Sequence, residues 1–217
     1  MLKFPFADLV PPIRHVLCLG AHCDDIEIGC GGTVLKLAES ASPPEFTWVV
    51  FASDATREAE ARQSADRFLR GAKARIIFGE LRDGFLPHDG ALVKEAFEHL
   101  KGLSPPDLVL THYGKDLHQD HRMVSELSWS TFRDHLILEY EIPKYDGDLG
   151  APNLFVPLED DLCQRKIDIV LSSFTSQASK RWFTAEVFRS LLRLRGMECN
   201  AASNYAEAFY CRKLVAG

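Results

Sequence analysis

The chain has 217 residues, of which 46% are hydrophobic, and it carries a net charge of −6. That length and composition suit one globular domain with a good core, and the negative charge argues against a nucleic-acid partner. No apolar run approaches the roughly eighteen residues of a membrane span, and Asp8 with three prolines near the start does not fit a secretory signal. Six scattered cysteines fit reduced thiols. We therefore expect a cytoplasmic protein without an integral membrane segment.

Apolar runs of strand length alternate with stretches of helical period, which is typical of βαβ units around a mostly parallel sheet. In chain order the first half predicts a strand at 14–20, a helix at 31–40, a strand at 46–52, a helix at 54–71, a strand at 74–79, a helix at 91–101 and a strand at 107–112. The second half predicts a helix at 120–135, strands at 136–142 and 153–158, helices at 161–172 and 182–195, and a strand at 207–214. We therefore predict an α/β fold with helices on both faces of the sheet, in a single domain over residues 1–217.

Two polar loops follow the first and fourth predicted strands. The first loop supplies His22, Asp24, Asp25 and Glu27. The second loop supplies His112, Tyr113, Asp116, His118, Asp120 and His121. Because ligands of open parallel sheets bind outside the carboxyl ends of the strands, we expect both loops to line one crevice.

A dinucleotide site at the first loop is one interpretation, since a strand, glycines and a helix follow one another there. The spacing of Gly29, Gly31 and Gly32 does not give GxGxxG, because Val34 stands where the last glycine belongs. Acidic groups at that helix start would also repel a pyrophosphate. A cation is the better ligand.

Imidazole and carboxylate groups on two loops suit zinc, and three protein ligands leave a fourth position for water. His22 and Asp25 lie three residues apart on a turn, so both can face one ion, and a histidine of the second loop would complete the set. A single His–Asp pair at a strand end is most often an ordinary hydrogen-bonded loop. Two such clusters at two strand ends favour the metal site, for zinc or for another divalent ion such as iron(II).

Four separated segments resemble motifs of one known family. The segment "AHCDDIE" (21–27) is similar to AHPDDE, and "HQDH" (118–121) is similar to HPDH, of the LmbE-like or PIG-L zinc-dependent de-N-acetylases. The segment "SSFTSQ" (172–177) and the ending "NYAEAFYCRK" (204–213) resemble two further family segments in the right order. The resemblance covers nearly the whole chain. It implies a Rossmann-like fold and removal of acetyl groups from N-acetylglucosamine units.

Transferred residue by residue, the resemblance puts zinc on His22, Asp25 and His121. Asp24 would be the general base that takes a proton from the attacking water. Cys23 replaces the usual proline of the motif, and it is either a small core residue or, less favoured, a thiolate ligand.

The same resemblance assigns roles to two further residues of the second loop. His118 would stabilise the oxyanion as an imidazolium, and the Asp120 carboxylate would orient the His118 ring. Asp116 would brace this loop or support a ligand. His112 is expected to be structural or solvated.

Three positions are candidates for substrate contacts. Arg57 and Asp83 follow the second and third predicted strands, where family members hold sugar hydroxyls, although each would by default be a surface charge. Tyr113 precedes the second motif and would reach the oxyanion.

We therefore predict a zinc-dependent hydrolase that removes acetyl from an N-acetylated amino sugar. A non-catalytic metal-binding homologue, serving as a sugar-binding or assembly subunit, is the alternative, and an O-deacetylase is chemically close. Retention of Asp24 and His118 favours an enzyme, because a binding site needs only the ligands. Relatives are often oligomers, so the apolar segment 185–194 would serve either a homo-oligomer interface or the core.

Overall fold

The structure is a computed structural model that describes residues 12–215. Its strands are β1 (His15–Gly20), β2 (Glu45–Ala52), β3 (Ala74–Leu81), β4 (Leu108–His112), β5 (Leu136–Tyr140), β6 (Leu154–Leu158) and β7 (Tyr205–Cys211). Its α-helices are α1 (Asp25–Ala38), α2 (Ala55–Phe68), α3 (Gly90–Lys101), α4 (Gln119–Thr131), α5 (Asp160–Ser173) and α6 (Ala185–Glu198). A short 3₁₀ helix spans Thr175–Gln177.

The strands form one sheet in the order β3-β2-β1-β4-β5-β7-β6. The first five strands of this order pair in parallel, whereas β7 runs antiparallel to both β5 and β6. Strand β1 lies between β2 and β4, so the order reverses there and leaves a crevice outside the carboxyl ends of β1 and β4. The predicted α/β fold with a mostly parallel sheet is confirmed.

Side chains of β1 point alternately to two hydrophobic cores, one on each face of the sheet. Val16 and Cys18 pack into the core under α1, α2, α5 and α6, whereas Leu17 and Leu19 pack into the core under α3 and α4. Both faces of β1 and β4 are covered, which explains why their sequences are continuous apolar runs.

Helix α1 begins at Asp25, six residues before the predicted start at residue 31. The predicted helix left Gly29 outside, but Gly29 lies inside α1 together with Gly31 and Gly32 and allows close packing. A Cβ at Gly29 would lie 2.1 Å from the Tyr140 ring, and one at Gly32 would lie 2.4 Å from Leu158. The consequence is that Asp25 occupies the first turn of a buried helix.

A buried ion pair anchors α1 to the end of the chain. Glu207 of β7 accepts hydrogen bonds from the backbone N–H groups of Gly32 and Thr33 at 2.7 and 2.6 Å. Lys166 of α5 contacts Glu207 at 2.6 Å and also donates to the carbonyl of Ile28 at 2.7 Å. The segment around Glu207, which resembles the family ending, therefore holds the helix that carries Asp25.

Three further sequence predictions concern a secretory signal, a membrane span and the apolar segment 185–194. The secretory-signal argument falls mostly on residues 1–11, which lie outside the described residues. Within residues 12–215, no helix combines the length and apolar character needed to cross a membrane. In α6, Phe188 and Leu192 are core residues, whereas Leu194 is exposed.

We predict that Glu207→Gln lowers the free energy of unfolding by about 3 kcal/mol or more, because it leaves the buried Lys166 ammonium without a counter-charge. Denaturant unfolding with an unchanged m-value measures this loss. The control is Lys73→Met, which removes an ion pair whose lysine is 80% exposed and should change stability little. Equal effects of the two variants would contradict the anchoring role.

Candidate active site

The two polar loops meet at the carboxyl ends of β1 and β4, and each runs directly into a helix. Asp24 is the N-cap residue of α1 and Asp25 lies in its first turn. His118 is the N-cap residue of α4, and Asp120 lies in its first turn. Helix N-termini favour carboxylates, so the fold itself stabilises acid at this position.

Ligand atoms of His22, Asp25 and His121 converge at the centre of the site. His22 Nδ1 lies 3.3 Å from His121 Nε2 and 3.3 Å from Asp25 Oδ2. His121 Nε2 lies 3.4 Å from Asp25 Oδ1. All three residues are buried.

Carboxylates behind the two histidines fix which ring nitrogens carry protons. His22 Nε2 faces Asp120 Oδ2 at 3.1 Å and Asp83 Oδ1 at 3.2 Å. His121 Nδ1 faces Asp116 Oδ2 at 2.9 Å. Because a carboxylate only accepts, these nitrogens are donors, and the opposite nitrogens face each other and Asp25.

The carboxylates around this centre favour a cation within it. Burial opposes charge on both rings, yet the surrounding carboxylates together, with Asp25 foremost, outweigh it and raise the pKa of His22 well above its usual value and that of His121 to about 9. Burial likewise raises the pKa of Asp25, but the surrounding histidines, with His121 foremost, hold it well below its usual value. The site thus favours positive charge strongly.

The donor set fits a divalent metal such as zinc or iron(II): two imidazoles and one carboxylate, with hydrogen-bonded carboxylates behind the imidazoles. Within the described residues, ligand atoms come within 4.8 Å of one another in three overlapping groups. These groups are His22 with His118 and His121, Asp25 with His112 and His121, and His22 with Asp83 and Asp120.

Asp24 differs from its neighbour Asp25 in what it contacts. It occupies the N-cap position, yet its side chain makes no capping hydrogen bond, and Oδ1 lies 3.3 Å from Arg57 Nη2. Burial raises the pKa of Asp24, the Asp25 charge adds to this, and Arg57 opposes it. Two adjacent aspartates therefore have different environments, Asp25 facing two histidines and Asp24 paired with Arg57.

The structure corrects the predicted relation between His118 and Asp120. The backbone N–H of Asp120 donates to His118 Nδ1 at 3.2 Å, whereas the Asp120 carboxylate contacts His22 and the N–H groups of Gly84 and Leu86. The carboxylate therefore supports His22 and does not orient His118. Capping geometry of α4 holds the His118 ring instead.

The surroundings of His118 bear on the predicted imidazolium. Burial lowers the pKa of His118, and the nearby His121 and His22 lower it further, which disfavours the charged ring. Since Nδ1 accepts a hydrogen bond from the backbone N–H of Asp120, Nε2 is the ring nitrogen left to donate.

The predicted substrate-contact residues divide into two that reach the site and one that does not. Arg57 Nη1 lies 2.7 Å from Asp83 Oδ2, and Asp83 in turn contacts His22. Tyr113 instead stacks on Tyr210, with ring centroids 3.6 Å apart. Arg57 and Asp83 form one edge of the site, whereas the Tyr113 ring packs against β7.

His112 has a larger part in the site than the sequence indicated. It is fully buried, its Nε2 accepts from the backbone N–H of Ala21 at 2.9 Å, and its ring stacks on His121 at 4.0 Å. Burial, aided by His121, lowers the pKa of His112 to about 4, so the ring is neutral. The sequence signal for this part was that His112 is the last residue of the strand β4.

Cys23 lies in the hydrophobic core, and its Sγ donates to the carbonyl of Ala52 at 3.7 Å. Burial raises the pKa of this thiol, which opposes a thiolate. The cysteine at the proline position of the motif therefore packs as a small apolar residue.

Comparison with known proteins adds independent information. The family model described as PIG-L, GlcNAc-PI de-N-acetylase, matches residues 17–132, a range that includes both polar loops. An uncharacterized deacetylase of Escherichia coli (strain K12), YaiS, is 28% identical over 140 residues, which are 60% of this chain and 75% of that protein.

Solved structures share the fold. The N,N'-diacetylchitobiose deacetylase of Pyrococcus horikoshii superposes with a TM-score of 0.71 at 22% identity, over 95% of this chain and 85% of that one. GalB of Pseudomonas putida KT2440, a 4-carboxy-2-hydroxymuconate hydratase, gives a TM-score of 0.74 at 15% identity, over 94% and 98% of the two chains. One fold thus serves different chemistries, and the likeness of these structures shows the fold alone. The family model, in contrast, matches more than half of the sequence. This chain belongs to the PIG-L family of de-N-acetylases.

Proposed function

We propose that this protein is a metal-dependent hydrolase that removes the acetyl group from an N-acetylated amino sugar. The observation that carries the proposal is the convergence of three lone-pair donors, His22, Asp25 and His121, beside a carboxylate that is not needed as a ligand. Family membership and the deacetylase relatives support acetyl removal.

His22, Asp25 and His121 would hold the ion through the atoms that face one another. When bound, a divalent ion supplies Lewis acidity and makes water a nucleophile near neutral pH. Asp120 and Asp116 keep the outward nitrogens of His22 and His121 protonated, so the inward nitrogens remain available as ligands.

Asp24 would take the proton of the attacking water and pass it to the leaving amine. Its raised pKa brings it closer to the working pH, which favours transfer in both directions. Arg57 holds Oδ1, and no donor among residues 12–215 contacts Oδ2, which leaves that oxygen for the proton. The pairing with Arg57 also fixes the direction in which the carboxylate points.

His118 would stabilise the oxyanion of the tetrahedral intermediate through Nε2–H. The hydrogen bond from Asp120 N to His118 Nδ1 holds the ring, so the donor needs little reorganisation during the reaction. At the edge of the site, Arg57 and the half-exposed Asp83 would bind sugar hydroxyls. Arg57 and Asp83 already pair with each other, so each could replace this contact by a hydrogen bond to a substrate hydroxyl.

The proposal is tested by acetate release from a panel of substrates, with protein stripped by chelator and reloaded with zinc or iron(II). The panel contains free N-acetylglucosamine, its nucleotide-linked, glycosidic and inositol-linked forms, and an O-acetylated sugar. We expect metal-dependent release from an N-acetyl member. Release from the O-acetyl member alone would establish an esterase, and no release by metal-loaded protein would favour the binding-subunit alternative.

We predict that Asp24→Asn retains the metal but lowers kcat by about a hundredfold or more, because an amide cannot accept the proton of water. Metal content by elemental analysis and turnover on the panel substrate measure the two effects separately. The matched variant is Asp25→Asn, which should lose metal together with activity. Near-normal turnover of the Asp24 variant would remove this residue from the mechanism.

A further inference from the structure

Lys144 is a nearly buried lysine that none of the roles above uses. It lies in the loop between β5 and β6, and its side chain is only 9% exposed. Its Nζ contacts Asp116 Oδ2 at 2.9 Å and Asp148 Oδ2 at 2.5 Å. Lysines are rarely buried without a partner, and this one has two carboxylates at hydrogen-bond distance and a third, that of Asp146, at 4.0 Å.

One of these partners leads directly to a candidate metal ligand. Asp116 Oδ2, which Lys144 contacts, also accepts from His121 Nδ1 at 2.9 Å. The other oxygen of Asp116 accepts from the backbone N–H of His118 at 2.7 Å. The carboxylate is therefore held at both oxygens, and its position sets the direction of the His121 ring.

The second partner joins two loops. Asp148 Oδ2 contacts Lys144 and also accepts from the backbone N–H of Leu117 at 2.7 Å. The carboxylates of Asp116 and Asp148 contact the same Lys144 ammonium. Their negative charges would repel each other strongly if the positive charge of the lysine were removed. Lys144 thus holds together the loop 113–118 and the loop 143–150.

We propose that Lys144 is a positioning residue, which fixes His121 through Asp116 and couples the loop 143–150 to the metal site. The inference rests on the metal site of the proposed function. Coupling between two sites is reciprocal, so metal binding should also stabilise the loop contacts, and loss of those contacts should weaken metal binding. The loop carries the exposed side chains of Tyr145 and Leu149, so the metal would order part of the protein surface.

The first test is zinc affinity, measured by competition with a chromogenic chelator. We predict that Lys144→Met weakens zinc binding about tenfold, at the lower end of the effect of groups that support metal ligands. Lys144→Arg should recover most of the affinity, since it keeps the charge. Lys94→Met, which removes an exposed ion pair with Glu98 on α3, should leave affinity unchanged.

A double-mutant cycle tests the route through Asp116. In an Asp116→Asn background, Lys144→Met should cause little further loss of zinc affinity, because the lysine acts through the carboxylate already removed. If the two substitutions reduced zinc affinity by independent factors, so that the double variant showed the product of both, the proposed route would be overturned. Circular dichroism of each variant establishes that the chain is folded.

Hydrogen exchange at the Leu117 amide tests the coupling in the other direction. Zinc should slow this exchange in the wild type and do so much less in Lys144→Met. Equal zinc affinity of the wild type and the Lys144→Met variant, with equal protection, would overturn the coupling while leaving the metal site intact. A wild-type protein that binds neither zinc nor iron(II) would overturn both the coupling and the proposed function.

Discussion

Two imidazole nitrogens and a carboxylate that face one buried point are the constraint on which the site depends. His22 Nδ1 and His121 Nε2 lie against each other and against the negative charge of Asp25, so the centre requires a cation, either ring protons or a metal ion. Burial makes such an arrangement costly without a cation. The carboxylates of Asp116 and Asp120 therefore act on the centre indirectly, by keeping protons on the far side of each ring.

The fold places these side chains at the N-termini of two helices. Helices α1 and α4 begin beside the carboxyl ends of β1 and β4, where the strand order of the sheet reverses. Close packing of Gly29 and Gly32 and the buried Glu207–Lys166 pair fix α1, and with it Asp25. Capping by His118 does the same for α4. Residues far from the centre in sequence thus determine where the candidate ligands lie, and Lys144 would extend this support to the loop 143–150.

Much of this was predictable from the sequence, because strand-length apolar runs and the carboxyl-end rule depend on local pattern. The α/β fold and the approach of the two polar loops follow from them, whereas the choice of His121 among the histidines came from the family resemblance. The start of α1 was not predictable, since Gly29 serves packing against Tyr140, a residue distant in sequence. The contacts of the Asp120 carboxylate and of Lys144 also depend on loops meeting in three dimensions, which no spacing along the chain encodes.

The central claim is that the three converging groups form one metal site, and anomalous X-ray diffraction at the zinc edge from crystals grown with zinc tests it most directly. The account predicts a single strong anomalous peak bonded to His22 Nδ1, Asp25 and His121 Nε2. A peak bonded to Cys23, a peak at His22 Nε2 between Asp83 and Asp120, or no peak at this centre would contradict it.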